Sequence, residues 1–136
     1  MVRVPPGEEP ELMRSARRIA VVGISNDPTR PSYDIARYLI DAGYEVYFVN
    51  PTIEGEVLGR RCYASLRDLP ERVDIVDIFR RPEHVLPVVE DAIEAGAGAI
   101  WMQLGIVNEA AARLADEAGL PVVMDRCTKV EHRQLR

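Results

Sequence analysis

Residues Ile19 to Asp34 constrain the fold more than any other stretch. Ile19-Ala20-Val21-Val22 is an unbroken apolar run that ends at Gly23, a polar loop follows, and a helical pattern begins at Tyr33. A strand buried on both faces reads as a continuous apolar run, the mark of a parallel sheet. Gly23 lets the backbone turn sharply and offers no Cβ to block a ligand. Ser32 stands where an N-cap belongs, before a helix Tyr33 to Ala42 in which Ile35, Leu39 and Ala42 share a face. Strand, tight loop and helix start together suit an anion, because free backbone N–H groups and the positive dipole end converge there.

The rest of the chain alternates in the same way. Met1 to Pro6 read as loose, and Glu8 to Arg17 as a short helix, acidic first and basic last. Gly43 closes the first long helix as its C′ residue. Glu45 to Val49 follows as a buried strand ending at Asn50-Pro51. Val57 to Cys62 suits a short edge strand, and Ala64 to Leu69 one or two helical turns stopped by Pro70. Val73 to Phe79 is the next strand. The helix after it starts near His84, because Pro87 is tolerated only in a first turn, and turns Val85, Val89, Ala92 and Ile93 to the sheet. Ala99 to Met102 is a strand, Asn108 caps a helix through Ala118, Gly119 turns the chain, and Pro121 to Met124 is the last strand. Asp125 to Arg136 reads as a polar tail.

Alternation of this kind requires a parallel sheet with helices on both faces and right-handed crossovers. The expected architecture is a Rossmann-like, doubly wound α/β/α domain with strand order 3-2-1-4-5-6. Residues 1–136 form one domain, 1–16 being an N-terminal extension with a short helix. A ligand belongs where the strand order reverses, so four strand-end loops should converge: Gly23 to Arg30, Asn50 to Thr52, Phe79 to Pro82, and Gln103 to Gly105.

Composition narrows the partners. The chain has 136 residues, enough for one domain with a real core, and no apolar run of membrane-spanning length. Met1 to Arg18 lacks the apolar core of a signal peptide, which points to the cytoplasm. A net charge of −5 argues against nucleic acid and against an anionic membrane. Cys62 and Cys127 have neither disulfide-framework nor zinc-site spacing, even with His84 and His132, so no metal is expected.

The loops themselves point to phosphate. The first departs from G-x-G-x-x-G, and the second strand ends in Asn50-Pro51 with no carboxylate until Glu54, where a nicotinamide dinucleotide site places an acid. Ser25 and Asn26 supply hydroxyl and amide donors, and Arg30, Arg80 and Arg81 supply guanidiniums. Phe79 either stacks on a base or belongs to the core. His84 near a helix start either contacts phosphate or is merely exposed. Asp74, Asp77 and Asp125 read as solvated or structural, and Trp101 as core. Cys127 is either a buried, inert thiol or one that faces a ligand, where a mixed disulfide with a ligand thiol becomes possible.

Gly23-Ile24-Ser25, Arg30-Pro31-Ser32-Tyr33, Val49-Asn50-Pro51, Trp101-Met102-Gln103-Leu104-Gly105 and Asp125-Arg126-Cys127, in this order, resemble the small stand-alone coenzyme A-binding proteins (YccU-like). That family is similar to the N-terminal domain of the succinyl-CoA synthetase alpha subunit. The resemblance covers Arg17 to Leu135. It implies that Gly23 to Arg30 and Ser32 hold coenzyme A phosphates, Asn50-Pro51 borders the adenosine, and Phe79 to Pro82 forms the other wall. Gln103-Leu104-Gly105 would line the pantetheine side. In the synthetase a lysine after the second strand meets the nucleotide phosphates; here Thr52-Ile53-Glu54 stands there, so an arginine would have to replace it. The synthetase's phosphorylated histidine lies on a second domain that this chain lacks. No Ser-His-Asp set, carboxylate pair or Walker loop is visible. The expectation is a coenzyme A- or acyl-CoA-binding protein without catalytic machinery of its own. The alternatives are a nicotinamide-dependent enzyme and a subunit that completes an acyl-CoA ligase with a protein partner.

Overall fold

Each short apolar run becomes a strand of one sheet, and each amphipathic stretch a helix laid on it. The computed structural model describes residues 4–5 and 7–135. In chain order the elements are α1 (Glu9–Ser15), β1 (Arg18–Val22), α2 (Pro31–Asp41), β2 (Glu45–Val49), β3 (Glu56–Val57) and β4 (Arg60–Tyr63). Then come β5 (Ile75–Ile78), α3 (Val85–Glu94), β6 (Ile100–Met102), α4 (Glu109–Glu117), β7 (Val122–Val123) and α5 (Thr128–His132). The sheet order is β3-β4-β2-β1-β5-β6-β7. Its six parallel strands alone run in the expected order 3-2-1-4-5-6. The addition is β3, a two-residue antiparallel strand that pairs with β4 at the edge.

Strand alternation divides the core in two. Ala20, Val22, Val76, Ile78, Ile100 and Met102 pack with α3 and α4 residues such as Val85, Val89, Ala112 and Ala115. Ile19, Val21, Ile75 and Trp101 point to the other face, under Met13 of α1 and Ile35, Ala36 and Leu39 of α2. Trp101, Phe48 and Leu39 are fully buried, and each such side chain contributes roughly 1.5–3 kcal/mol. Trp101 is core, as its sequence context suggests, with its indole N–H donating to the Arg126 carbonyl at 2.8 Å.

Three local readings change. Ser32 is not the N-cap of α2: Arg30 is, and Pro31 takes the first helical position, where its fixed φ is already helical and its missing N–H costs nothing. Ala42 is the exposed C-cap and not a member of the buried face, with Gly43 beyond it at φ +102°. The polar tail is not a tail throughout. Thr128–His132 is α5, tied to α2 by Lys129–Asp34 at 3.2 Å and by Tyr38 to His132 Nδ1 at 2.7 Å. At the other end, residues 1–3 and 6 of the stretch read as loose lie outside the described residues. Val4 is tied down, its N–H donating to the Val122 carbonyl at 3.0 Å.

Candidate functional site

β1 stops at Gly23 because the chain must pass against the β5 loop. A Cβ on Gly23 would lie 2.6 Å from the Phe79 carbonyl oxygen, and φ there is +90°. Only glycine fits such an approach. The Gly23 N–H donates to the Val49 carbonyl at 2.9 Å, which joins this loop to the end of β2. The loop then folds on its own side chains. Ser25 N–H donates to Ser32 Oγ at 3.0 Å, Asp27 N–H to Ser25 Oγ at 3.0 Å, and Thr29 N–H to Asp27 Oδ1 at 2.9 Å. The Thr29 bonds hold the Asp27 carboxyl below its ordinary range. Ser32 thus acts from inside the helix, as an acceptor that fixes the loop.

The second loop is held the same way. Asn50 Nδ2 donates to the Ile24 carbonyl at 2.8 Å, and Asn50 Oδ1 accepts from Thr52 N–H at 2.9 Å and Thr52 Oγ1 at 2.7 Å. At the last loop, Gly105 N–H donates to Asp125 Oδ1 at 2.7 Å, and Asp125 itself has φ +60°.

Between these loops lies a cavity of about 740 Å³, the size of a small-molecule site. The first loop contributes Gly23, Ile24, Ser25, Asn26 and Arg30, with Ser32 and Ile35 from α2. Asn50, Thr52 and Ile53 form one wall, Phe79, Arg80 and Arg81 the facing one, and Gln103, Leu104, Ile106 and Cys127 close the far side. Of the residues that the sequence set at the ligand, Pro51, Pro82, Gly105 and the exposed His84 do not line it. Pro51 lines a neighbouring hollow beside Glu54 and Tyr63. Phe79 is half-buried, with its ring between core and cavity.

The lining contains three arginines and no carboxylate, although the chain carries 22 acidic residues. Arg14, Arg18, Arg37, Arg67 and Arg126 are in ion pairs; among the described residues none forms at Arg30, Arg80 or Arg81. Cys62 is buried away from the cavity and its thiol is pushed up by desolvation. Cys127 is half-buried on the cavity wall. No group of three metal-ligating side chains occurs among the described residues.

Beneath the cavity Gln103, expected at the ligand, joins Asp77, read as solvated or structural, and Thr128, which sequence reasoning assigned no role. Asp77 of β5 is fully buried, accepting from Gln103 Nε2 at 2.7 Å and from Thr128 Oγ1 at 3.1 Å. Burial pushes its carboxyl up to about 7, against the pull of those two bonds. A charge inside the apolar run Ile75-Val76-Asp77-Ile78 was the available signal. Thr128 gave none.

Comparisons with known proteins show a family and a matching fold. A family model described as "CoA binding domain" matches residues 17–133. The uncharacterized protein YneT of Bacillus subtilis is 43% identical over 122 residues, spanning 90% of each chain. A solved structure of a hypothetical protein from Pyrococcus horikoshii OT3 superposes with a TM-score of 0.92 at 41% identity, covering 97% of this chain and 92% of that one. A dinucleotide-forming acetyl-coenzyme A synthetase of Ca. Korarchaeum cryptofilum, solved with phosphate and ADP, gives a TM-score of 0.70 at 33% identity. There the match covers 77% of this chain and 25% of the synthetase.

Proposed function

The chain belongs to the CoA binding domain family, and from that premise we propose that its crevice binds coenzyme A or an acyl-coenzyme A. The observation that carries the reading is the lining: three arginines that form no ion pair among the described residues and no carboxylate, in an acidic chain. Coenzyme A brings a diphosphate and a 3′-phosphate, and guanidiniums meet phosphate oxygens with paired, charge-assisted bonds. The first loop and the start of α2 would hold the diphosphate, with Arg30, Arg80 or Arg81 on the 3′-phosphate. Phe79 would stack on the adenine. Asn50 would shape the adenosine wall by holding Ile24 and Thr52, and Gln103 would face the pantetheine arm.

The chain acts as a binder and not as a catalyst in this reading. The lining offers no carboxylate and no histidine for proton transfer. A nicotinamide dinucleotide is disfavoured for the same reason, since no acid is there for its ribose hydroxyls. A second reading follows from the synthetase, of which this chain matches only one quarter: the chain serves a separate catalytic partner. Co-purification from native extract addresses that reading.

Mass spectrometry of small molecules released from the purified protein, with calorimetric titration of coenzyme A and NAD side by side, tests the main one. Coenzyme A should co-purify or titrate with one site per chain, and NAD should give no comparable heat. Equal affinity for the two would overturn it.

A further inference from the structure

Gln103 is 3% exposed and yet lines the crevice. Both side-chain hydrogen bonds it makes among the described residues start at Nε2, 2.7 Å to Asp77 Oδ1 and 2.8 Å to Thr128 Oγ1. The Thr128 hydroxyl donates in turn to Asp77 Oδ2 at 3.1 Å. An amide nitrogen carries two protons, a hydroxyl one, and an ionised carboxylate none, so above the pH near 7 at which Asp77 ionises every proton of this cluster is placed. Turning the Gln103 amide over would then set its oxygen against the ionised Asp77 Oδ1, acceptor facing acceptor in a buried cluster. With Asp77 ionised the amide therefore has one orientation. Its carbonyl oxygen is the group left over. Among the described residues no fully buried side-chain oxygen lacks a hydrogen-bond partner, so this oxygen opens onto the crevice that its residue lines.

A buried carboxylate carries a heavy desolvation penalty, and an apolar residue at position 77 would carry none. What the carboxylate adds is direction. We propose that Asp77 and Thr128 are positioning residues that hold the Gln103 carbonyl as a fixed hydrogen-bond acceptor in the crevice, selecting a ligand that presents an amide N–H or hydroxyl to it. The inference rests on the coenzyme A reading, because the pantetheine arm of that ligand carries two amide N–H groups. Adenosine 3′,5′-bisphosphate, which shares the nucleotide end but has no amide, should not sense the acceptor.

Calorimetry of the full chain with these two probes, above about pH 8 where Asp77 is ionised, tests the assignment. Thr128→Val removes the hydroxyl at nearly constant volume, and Thr128→Ser keeps it. Gln103→Met removes the acceptor directly and serves if Thr128→Val fails to fold. Coenzyme A affinity should fall about tenfold in Thr128→Val and in Gln103→Met, the scale of one hydrogen bond with a stranded partner. It should stay at the wild-type value in Thr128→Ser, and adenosine 3′,5′-bisphosphate should bind all four proteins alike. An unchanged coenzyme A affinity in folded Thr128→Val and Gln103→Met overturns the proposal, and so does an equal loss for both probes. A wild-type chain that binds neither probe overturns the coenzyme A reading itself, and this inference with it.

Discussion

At the amino-terminal ends of β1, β2 and β5 the charges are closed on one another; at the carboxy-terminal ends of the same strands they are left open. On the first rim Arg18 meets Glu45 at 2.8 Å, Tyr47 donates to Glu45 at 2.9 Å, and Asp74 accepts from the backbone of Arg17 and Arg18 at 2.8 and 2.9 Å. On the second rim Arg30, Arg80 and Arg81 surround a cavity without a carboxylate. The close glycine contacts differ in the same sense. A Cβ on Gly98 would lie 2.8 Å from the Asp74 carbonyl oxygen, at a contact that merely joins an element to the sheet. The Gly23 contact lies at the mouth of a cavity. One sheet thus has an edge finished for stability and an edge left unfinished for a ligand.

The largest test of that contrast is the arginines. Replacing Arg30, Arg80 and Arg81 together by alanine should lower coenzyme A affinity by at least about a thousandfold, while Arg30→Ala alone should cost roughly 1.5–3 kcal/mol of binding. Neither change should move the melting temperature much, because these side chains lie outside the core. A lower melting temperature with intact affinity would make them structural and erase the contrast.

Gly23→Ala comes next. The new methyl would meet the Phe79 carbonyl at a positive φ, and roughly 2 kcal/mol or more of stability should be lost, read by denaturant unfolding. Crevice binding should fail with it, since two of the four loops meet at that point.

Smaller per pH unit is the signature of Asp77. Its carboxyl is raised in the folded chain from an ordinary 3.8 to about 7, so between those values the folded state holds a proton that the unfolded state has released. The stability contributed by Asp77 is therefore greatest below about pH 4, falls as pH rises toward 7, and levels off above it. The contribution is at most about 1.4 kcal/mol per pH unit. Unfolding curves across this range should show the slope, and Asp77→Asn should flatten it.

The least effect belongs to the closed rim. Glu45→Gln removes the partner of Arg18 in an exposed pair, and coenzyme A affinity should stay within about twofold of the wild-type value. A large loss of affinity would show that the two rims are not independent.

How far the sequence carried follows from the range of the forces involved. Local signals were legible: the run into Gly23, the Asn108 cap accepting from Ala111 N–H at 2.9 Å, and Pro87 confined to the first turn of α3. The convergence of four loops followed from strand order. Helix α5 was hidden because the residues it buries, Thr128 and Glu131, are polar and read as solvated. Their burial depends on partners such as Asp77, 51 positions from Thr128, which no local window contains. The start of α2 was misread for a smaller reason. Ser32 has the chemistry of a cap, but Pro31 already has the backbone of a first turn.

The contrast between the rims is most directly tested by mapping backbone amide shifts of the ¹⁵N-labelled chain as coenzyme A is added. The shifts should concentrate in Gly23 to Ser32, Asn50 to Ile53, Phe79 to Arg81 and Gln103 to Ile106. Arg17, Arg18, Glu45 and Asp74 should stay still. Shifts centred on that second group, or none at saturating coenzyme A, would contradict the account.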